Sequence, residues 1–567
     1  MALIRGSYRI ATCVLGAAAG LVFQPGPAAA FPLDDPLHPS IVPAGGELAA
    51  PDVQQLNHQM GLLSGFGSAP TGWTVSPSIG LQEAFTDNIL QTHEPRRWDV
   101  ITIISPGIDV VGDTSRVQLR LSYQPELQMH LRTGSENALT HQLNATGRIT
   151  VIPDLLFVDV RGLAGVQSFS GGVGGLGTLG ASSVGALAIG SLAQTSQVGA
   201  AKQDLYQSSS FSISPYLLHD FGDTGTGRIG LSLSETSTSQ ISGFTAMPFL
   251  AGGGNAQRQT DIEETASFQT GSIFSRARDT VSVSADQSFG YGQSSAVGLA
   301  GVGDSDRESV NNRVDYVWDQ SVSFYGQFGW ERLNYSNPSY YSLNGPTWGF
   351  GATFTPDPDT SITLGYGRQD GTTSFTFDGH YAITARTTLA GSYHSGVTTQ
   401  TGLLRNQLFA SSVANNGSLV NSVTGAPQFL SVNALGLTPG VFRFSDLTLS
   451  AVTVLERDTV TATLSYTTRT PVGSGSTGLP SEAKTAGVSW VHLITPRLTL
   501  NTSLYFSTGT PTGLDKENSI AAGVSGNYTL SETVSAFARY ALFERQSSSA
   551  ALSMYQNLLL VGINKHF

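Results

Sequence analysis

Apolar and polar residues alternate one by one along most of this chain. From 117 to 123, Val117, Leu119, Leu121 and Tyr123 take the odd positions while Gln118, Arg120 and Ser122 take the even ones. From 139 to 151, Leu139, Leu143, Ala145, Ile149 and Val151 form one row against Thr140, Gln142, Asn144, Thr146, Arg148 and Thr150, with His141 the polar exception in the apolar row. Val322, Phe324, Phe328 and Trp330 oppose Ser321, Ser323, Gln327 and Glu331; Trp348, Phe350, Ala352 and Phe354 follow, then Ile362, Leu364 and Tyr366. Successive side chains of a strand point to opposite faces, so each segment predicts a strand with one apolar and one polar face.

The connections between these segments alternate in length. Short ones lie at 152–154, 276–279, 318–320, 356–359, 456–458, 495–497 and 530–532, where proline and aspartate supply turn chemistry. Longer ones lie at 86–97, 169–202, 237–258, 293–306, 335–345, 396–441, 471–481 and 508–516. Short turns at one end and long loops at the other are the mark of an outer-membrane barrel. The pattern predicts an all-β, antiparallel, up-and-down transmembrane β-barrel over 73–567 with about 22 strands, a count that 18 to 22 brackets. The segments 369–384, readable as one hairpin or one long strand, and 258–275, where alternation is poor, set that range.

The first thirty residues place this barrel in an envelope. Arg5 and Arg9 precede an apolar run from 10 to 23, and Ala28, Ala29 and Ala30 end the segment. This predicts a signal peptide over 1–30, cleaved after Ala30 and too short to span a bilayer as a helix. Residues 31–72, rich in proline and glycine, read as a periplasmic leader or a short insert in the pore. Some forty residues are too few for the folded plug of a large energy-coupled transporter. The stretch 169–202, with Gly171, Gly172, Gly174, Gly175 and Gly177, reads as a loop able to enter the lumen, since so many glycines disfavour a helix.

Composition agrees with a barrel and removes several other functions. Only 12% of residues are charged and mean hydropathy is −0.01, as expected when each strand needs just one apolar face. Cys13, the single cysteine, leaves with the signal peptide, so disulfides and thiolate metal sites drop out of the mature chain. Loss of Arg5 and Arg9 takes the net charge from −12 to −14, which argues against nucleic acid. The ten histidines form no pair at metal-ligand spacing and no Gly-x-x-x-x-Gly-Lys-Ser/Thr loop occurs, so neither metal, cofactor nor nucleotide is expected. No nucleophile motif appears, and the chain is not expected to be an enzyme; serine-rich strands with His141 or His219 leave a lipid-modifying barrel as the weakest alternative.

Two groups of residues carry expectations of their own. A charge facing lipid at mid-membrane costs roughly 2–4 kcal/mol, so Arg120, Arg148 and Glu331 are expected to face the lumen. In the last segment Tyr555, Leu559, Val561, Ile563 and the terminal Phe567 share one face, with Lys565 among them. A terminal aromatic on an alternating strand resembles the signal by which barrel-assembly machinery recognises its clients.

The region 73–132 carries Phe85-Thr86-Asp87-Asn88, Asp99, Ser105-Pro106-Gly107-Ile108 and Leu121-Ser122-Tyr123-Gln124-Pro125, and a later stretch reads Tyr381-Ala382-Ile383-Thr384-Ala385-Arg386-Thr387-Thr388-Leu389. These resemble the exosortase-associated (PEP-CTERM system-associated) outer-membrane proteins and the wider beta-barrel porin type 2 group. The resemblance covers about 73–567 and implies an outer-membrane barrel, often linked to exopolysaccharide production, with no catalytic residues to carry over. The sequence thus leads to a porin-like channel for diffusion or export of an envelope solute, with both termini periplasmic and with lipopolysaccharide, secretion and barrel-assembly machinery as partners. A non-conducting barrel acting in envelope structure or surface interaction stays open beside it; solute and oligomeric state are not readable.

Overall fold

The computed structural model describes residues 72–168, 198–241, 256–291, 303–336, 340–357, 360–413, 419–421, 435, 440–474, 479–511 and 515–567. The signal peptide over 1–30, nearly all of the 31–72 leader and the glycine-rich heart of 169–202 lie outside them.

Twenty-two strands run as one antiparallel meander. They are β1 (Gly72–Thr86), β2 (Asp99–Asp113), β3 (Val117–His130), β4 (Ala138–Ile152), β5 (Leu156–Ser168), β6 (Leu205–Asp220), β7 (Gly225–Gln240), β8 (Ala256–Thr270), β9 (Ala277–Tyr291), β10 (Ser305–Val317) and β11 (Val322–Tyr335). The ring continues through β12 (Tyr341–Asp357), β13 (Thr360–Gln369), β14 (Thr372–Thr384) and β15 (Thr387–Thr399). Beyond an insertion holding α1 (Gln400–Ala410) and a short hairpin, β16 (Ser411–Val413) with β17 (Leu419–Asn421), it resumes. Its last members are β18 (Val441–Val454), β19 (Asp458–Pro471), β20 (Ser481–Thr495), β21 (Leu498–Thr510), β22 (Glu517–Thr529), β23 (Val534–Ser547) and β24 (Met554–His566). β15 pairs directly with β18, and β1 pairs with β24 from Ser78↔His566 to Thr86↔Leu558, so the barrel closes on itself.

The alternation in the sequence is the alternation of the wall. Ile79, Leu81 and Phe85 on β1, Phe324, Phe328 and Trp330 on β11, Leu504 and Phe506 on β21, and Leu559, Val561 and Ile563 on β24 are large, apolar and exposed. In a protein surrounded by water so many exposed apolar side chains would be a liability, whereas on a closed barrel they form the lipid-facing belt. The opposite rows are polar and largely buried: Ser208, Ser210, Ser212 and Ser214 on β6, for example, bond across to Thr238, Thr236 and Ser232 on β7.

Two uncertain segments resolve for physical reasons. At 369–384 there is a true hairpin: Asp370 at φ 51° and Gly371 at φ 71° form a two-residue turn with both residues left-handed, the geometry for which Asp-Gly is suited. It breaks the regular alternation of loop lengths, because a two-residue turn stands at the end where long loops were expected. Within 258–275 the strand β8 runs unbroken to Thr270, before a 3-10 turn at Ser272–Phe274, and its alternation is blurred because Arg258, Thr260 and Glu264 stand on the face opposite Gln259, Asp261 and Glu263.

Glycines inside β12 and β13 have a packing role. The Tyr325 ring from β11 lies over Gly351 and Gly365, where an added Cβ would meet Tyr325 itself, and Arg313 stacks on its other side at 4.0 Å. Gly365→Val should displace the ring and cost about 1–3 kcal/mol of stability. The check is the temperature at which the folded band converts to the unfolded one on a gel, which should fall for the variant.

Candidate functional site

The functional geometry lies at the long-loop end of the lumen. Helix α1 leaves the top of β15 and packs against β5, β6 and β7, eight or more strands away around the ring, so it crosses the interior. Thr399 caps it, its hydroxyl accepting the Gly402 N–H at 3.1 Å. Leu403 packs on the buried ring of Phe442, and at the far end Arg161 of β5 donates to the Phe409 carbonyl at 2.9 Å, where a cation suits the helix C-terminus.

Arg405, near the middle of α1, is the strongest tie. Its side chain is 5% exposed and reaches Asp261 on β8 (Nη1 to Oδ1, 3.1 Å) and Asp286 on β9 (Nη2 to Oδ2, 2.8 Å; Nη1 to Oδ1, 3.0 Å). Burial on its own would favour loss of the proton, but Asp286 and Asp261 outweigh it and hold the guanidinium well above its ordinary pKa. The Thr401 hydroxyl donates to Gln259 Oε1 one turn earlier. A second charged group braces the start of the insertion: Arg307 on β10 pairs with Asp370 at 2.9 Å, Asp370 Oδ2 accepts the Val397 N–H at 2.9 Å, and Arg307 donates to the Val397 carbonyl at 3.3 Å.

The opposite side of the same end is apolar. Ala84, Ile101, Ile103, Leu558 and Leu560 point inward from β1, β2 and β24 and are covered by Ile89 and by Val198, the first described residue after the glycine-rich stretch. Gln556 Nε2 lies within hydrogen-bond reach of Thr86 Oγ1, the Asn88 carbonyl and the Gly199 carbonyl, at 2.9, 2.9 and 2.6 Å, so the tail of that loop is tied inside the barrel.

The residues singled out from sequence are spread through the barrel. Arg148 on β4 pairs with Asp159 on β5 at 3.1 Å, Arg120 stands on the row of β3 that carries Gln118 and Ser122, and the Glu331 carboxylate accepts the Gly371 N–H at 3.2 Å. Of these only Glu331 belongs to the upper group with Arg307 and Asp370. Nothing local in the sequence points to Arg405, Asp261 and Asp286, because the partners lie 119 and 144 positions apart. Tyr555, Leu559, Val561 and Ile563 share the outer row of β24, and the Phe567 N–H donates to the Pro77 carbonyl at 2.9 Å. His141 bonds the Tyr123 hydroxyl at 2.9 Å and His219 meets the Phe221 ring edge-on at 4.5 Å. Among the described residues no three His, Cys, Asp or Glu side chains converge as metal ligands.

Closed meander, exposed apolar belt and polar inner rows together define a membrane-spanning β-barrel of the outer-membrane kind. No family model matches the chain, and no curated protein does either. Among solved structures it is similar to the siderophore receptor PirA of Acinetobacter baumannii (9% identity, TM-score 0.47, covering 88% of this chain and 81% of that one). It is also similar to the FrpB iron transporter of Neisseria meningitidis (11%, 0.48, 91% and 84%) and to the ferric-catecholate import receptor Fiu of E. coli K12 (10%, 0.45, 86% and 81%).

Proposed function

We propose that the protein is a porin-like channel whose aqueous path α1 narrows, and that an envelope solute passes by diffusion or export. The observation that carries this reading is a lumen walled by hydroxyl and charged side chains and crossed by the ion-paired helix α1. Polar inner rows hold water, and a ring of 22 strands is wide enough to leave room for it. In this reading both termini are periplasmic, the long loops and α1 face outward, and the row ending in Phe567 serves recognition by barrel-assembly machinery. The resemblance to exosortase-associated proteins favours a solute linked to polysaccharide.

Planar bilayers test it. Protein that migrates as a folded, heat-modifiable band should give discrete conductance steps. A folded barrel that never conducts would sink the channel and leave a structural or surface-interaction protein.

A further inference from the structure

The place that Arg405 occupies is built mainly by the wall, α1 adding only the Thr401 bond to Gln259 Oε1. Asp261 Oδ1 accepts from Gln259 Nε2 at 2.6 Å and from the Ser288 hydroxyl, and its Oδ2 accepts from Ser234 at 3.4 Å. All three donors belong to β7, β8 and β9, so the carboxylate is aimed by residues of the wall. Asp286 then offers both oxygens to one guanidinium, at 3.0 and 2.8 Å. Two parallel bonds to one carboxylate plus a third to its neighbour match a flat, forked cation; an ammonium, a point charge, would satisfy only part of the set. A cavity beside Arg405, lined by Ser288, Arg307, Tyr335, Thr398 and Asn406, brings lumenal space up to Asp286.

We propose that Asp261 and Asp286 form a guanidinium-binding site on the barrel wall, that Arg405 fills it as a tethered internal ligand, and that a guanidinium-bearing solute takes the same place and frees α1. The binding site stands on its own geometry; the consequence of freeing α1 rests on the channel reading. A tethered competitor acts at an effective concentration of about millimolar, so free ligand must reach that range to displace it.

The test uses the full-length Arg405→Ala variant and guanidinium chloride at constant ionic strength. Calorimetric titration in detergent should give saturable binding that disappears in Arg405→Ala/Asp261→Asn/Asp286→Asn and is not reproduced by potassium or tetramethylammonium. In bilayers the same addition should raise the unmodified protein's conductance toward that of the single variant, as Arg405 is displaced and α1 freed, and leave the triple variant unchanged. Equal heats in the single and triple variants overturn the site. Binding in calorimetry with silence in bilayers for every variant keeps the site and removes the channel; conductance without binding does the reverse. Should Arg405→Ala not reach the heat-modifiable form, Arg405→Lys, which keeps the charge and loses the fork, carries the same titration, with weaker competition by the lysine as the expected result and no binding as the contrary one.

Discussion

On the channel reading proposed above, Arg405→Ala is expected to raise single-channel conductance severalfold while the folded band on gels stays as it was. The substitution leaves Asp261 buried and Asp286, 12% exposed, without their shared cation, and breaking a buried ion pair of this kind costs up to about 3–5 kcal/mol. Two responses are available. The carboxylates are fixed in the sheet, each on a strand bonded on both sides, and cannot move to water without opening the wall. Helix α1 can move. The Thr401 bond to Gln259 and the Arg161 bond to the Phe409 carbonyl remain, worth about 1 kcal/mol and about 1.5–3 kcal/mol respectively, less than or comparable to the strain of keeping the helix beside two unpaired carboxylates. The helix should therefore leave the wall, letting water reach the carboxylates and widening the path. Conductance identical to that of the unmodified protein, measured on the same folded band, would place α1 off the path of ions.

Phe328→Arg should prevent assembly, whereas Gln327→Arg should be tolerated. The two residues are neighbours at the middle of β11, yet Phe328 is 65% exposed on the outer row beside Phe324 and Trp330, while Gln327 shares the inner row with Tyr325 and Glu331. Arginine on the lipid face at mid-membrane costs roughly 2–4 kcal/mol, a factor of about thirty to a thousand in the folded fraction. The same side chain facing the lumen meets water, and Arg313 opposite it on β10, already paired with Asp315, adds a like-charge cost of only roughly 0.2–1 kcal/mol. Outer-membrane fractions compared for the amount of heat-modifiable protein check the pair. Equal loss in both variants would mean that the inner row is as tightly packed as a core; equal survival would mean that the outer row does not face lipid.

The wall is more legible in the sequence than the lumen, and the reason lies in where each signal is stored. A lipid-facing row repeats every two residues along one strand, so Leu119 and Leu121, or Phe350 and Phe354, announce it locally. The two-residue turn at Asp370-Gly371 was equally local, and its dipeptide is the one such turns prefer; what disguised it was the expectation of a long loop at that end. Helix α1 has no comparable signature. Wall or hairpin contacts it along several sides, from β5, β6, β7, β15 and β16, so it lacks the single apolar stripe by which a surface helix is recognised, and within 396–441 it read as loop. Strand β8 gave a weak pattern for a related reason. Its inner row holds Asp261, one of the two carboxylates that grip Arg405, beside Gln259 and Glu263, and its outer row includes Glu264 opposite Leu231, so neither face reads as apolar throughout. The candidate site is thus assembled from residues whose meaning depends on partners more than a hundred positions away, where an alternating pattern carries no information.

The ladder between β1 and β24 differs from the others in the wall in what it asks of the chain. Most strands meet a partner adjacent in sequence; these two meet across nearly the whole polypeptide. Bringing such distant segments together costs roughly 4 kcal/mol more chain entropy than closing a four-residue turn. The seam is therefore the last part of the wall to form, and until it does both terminal strands present unpaired backbone groups, the template on which barrels mispair with one another. A chaperone or membrane factor that occupies either of those two free edges, and releases them only to each other, would act at the one step of folding that local sequence cannot direct.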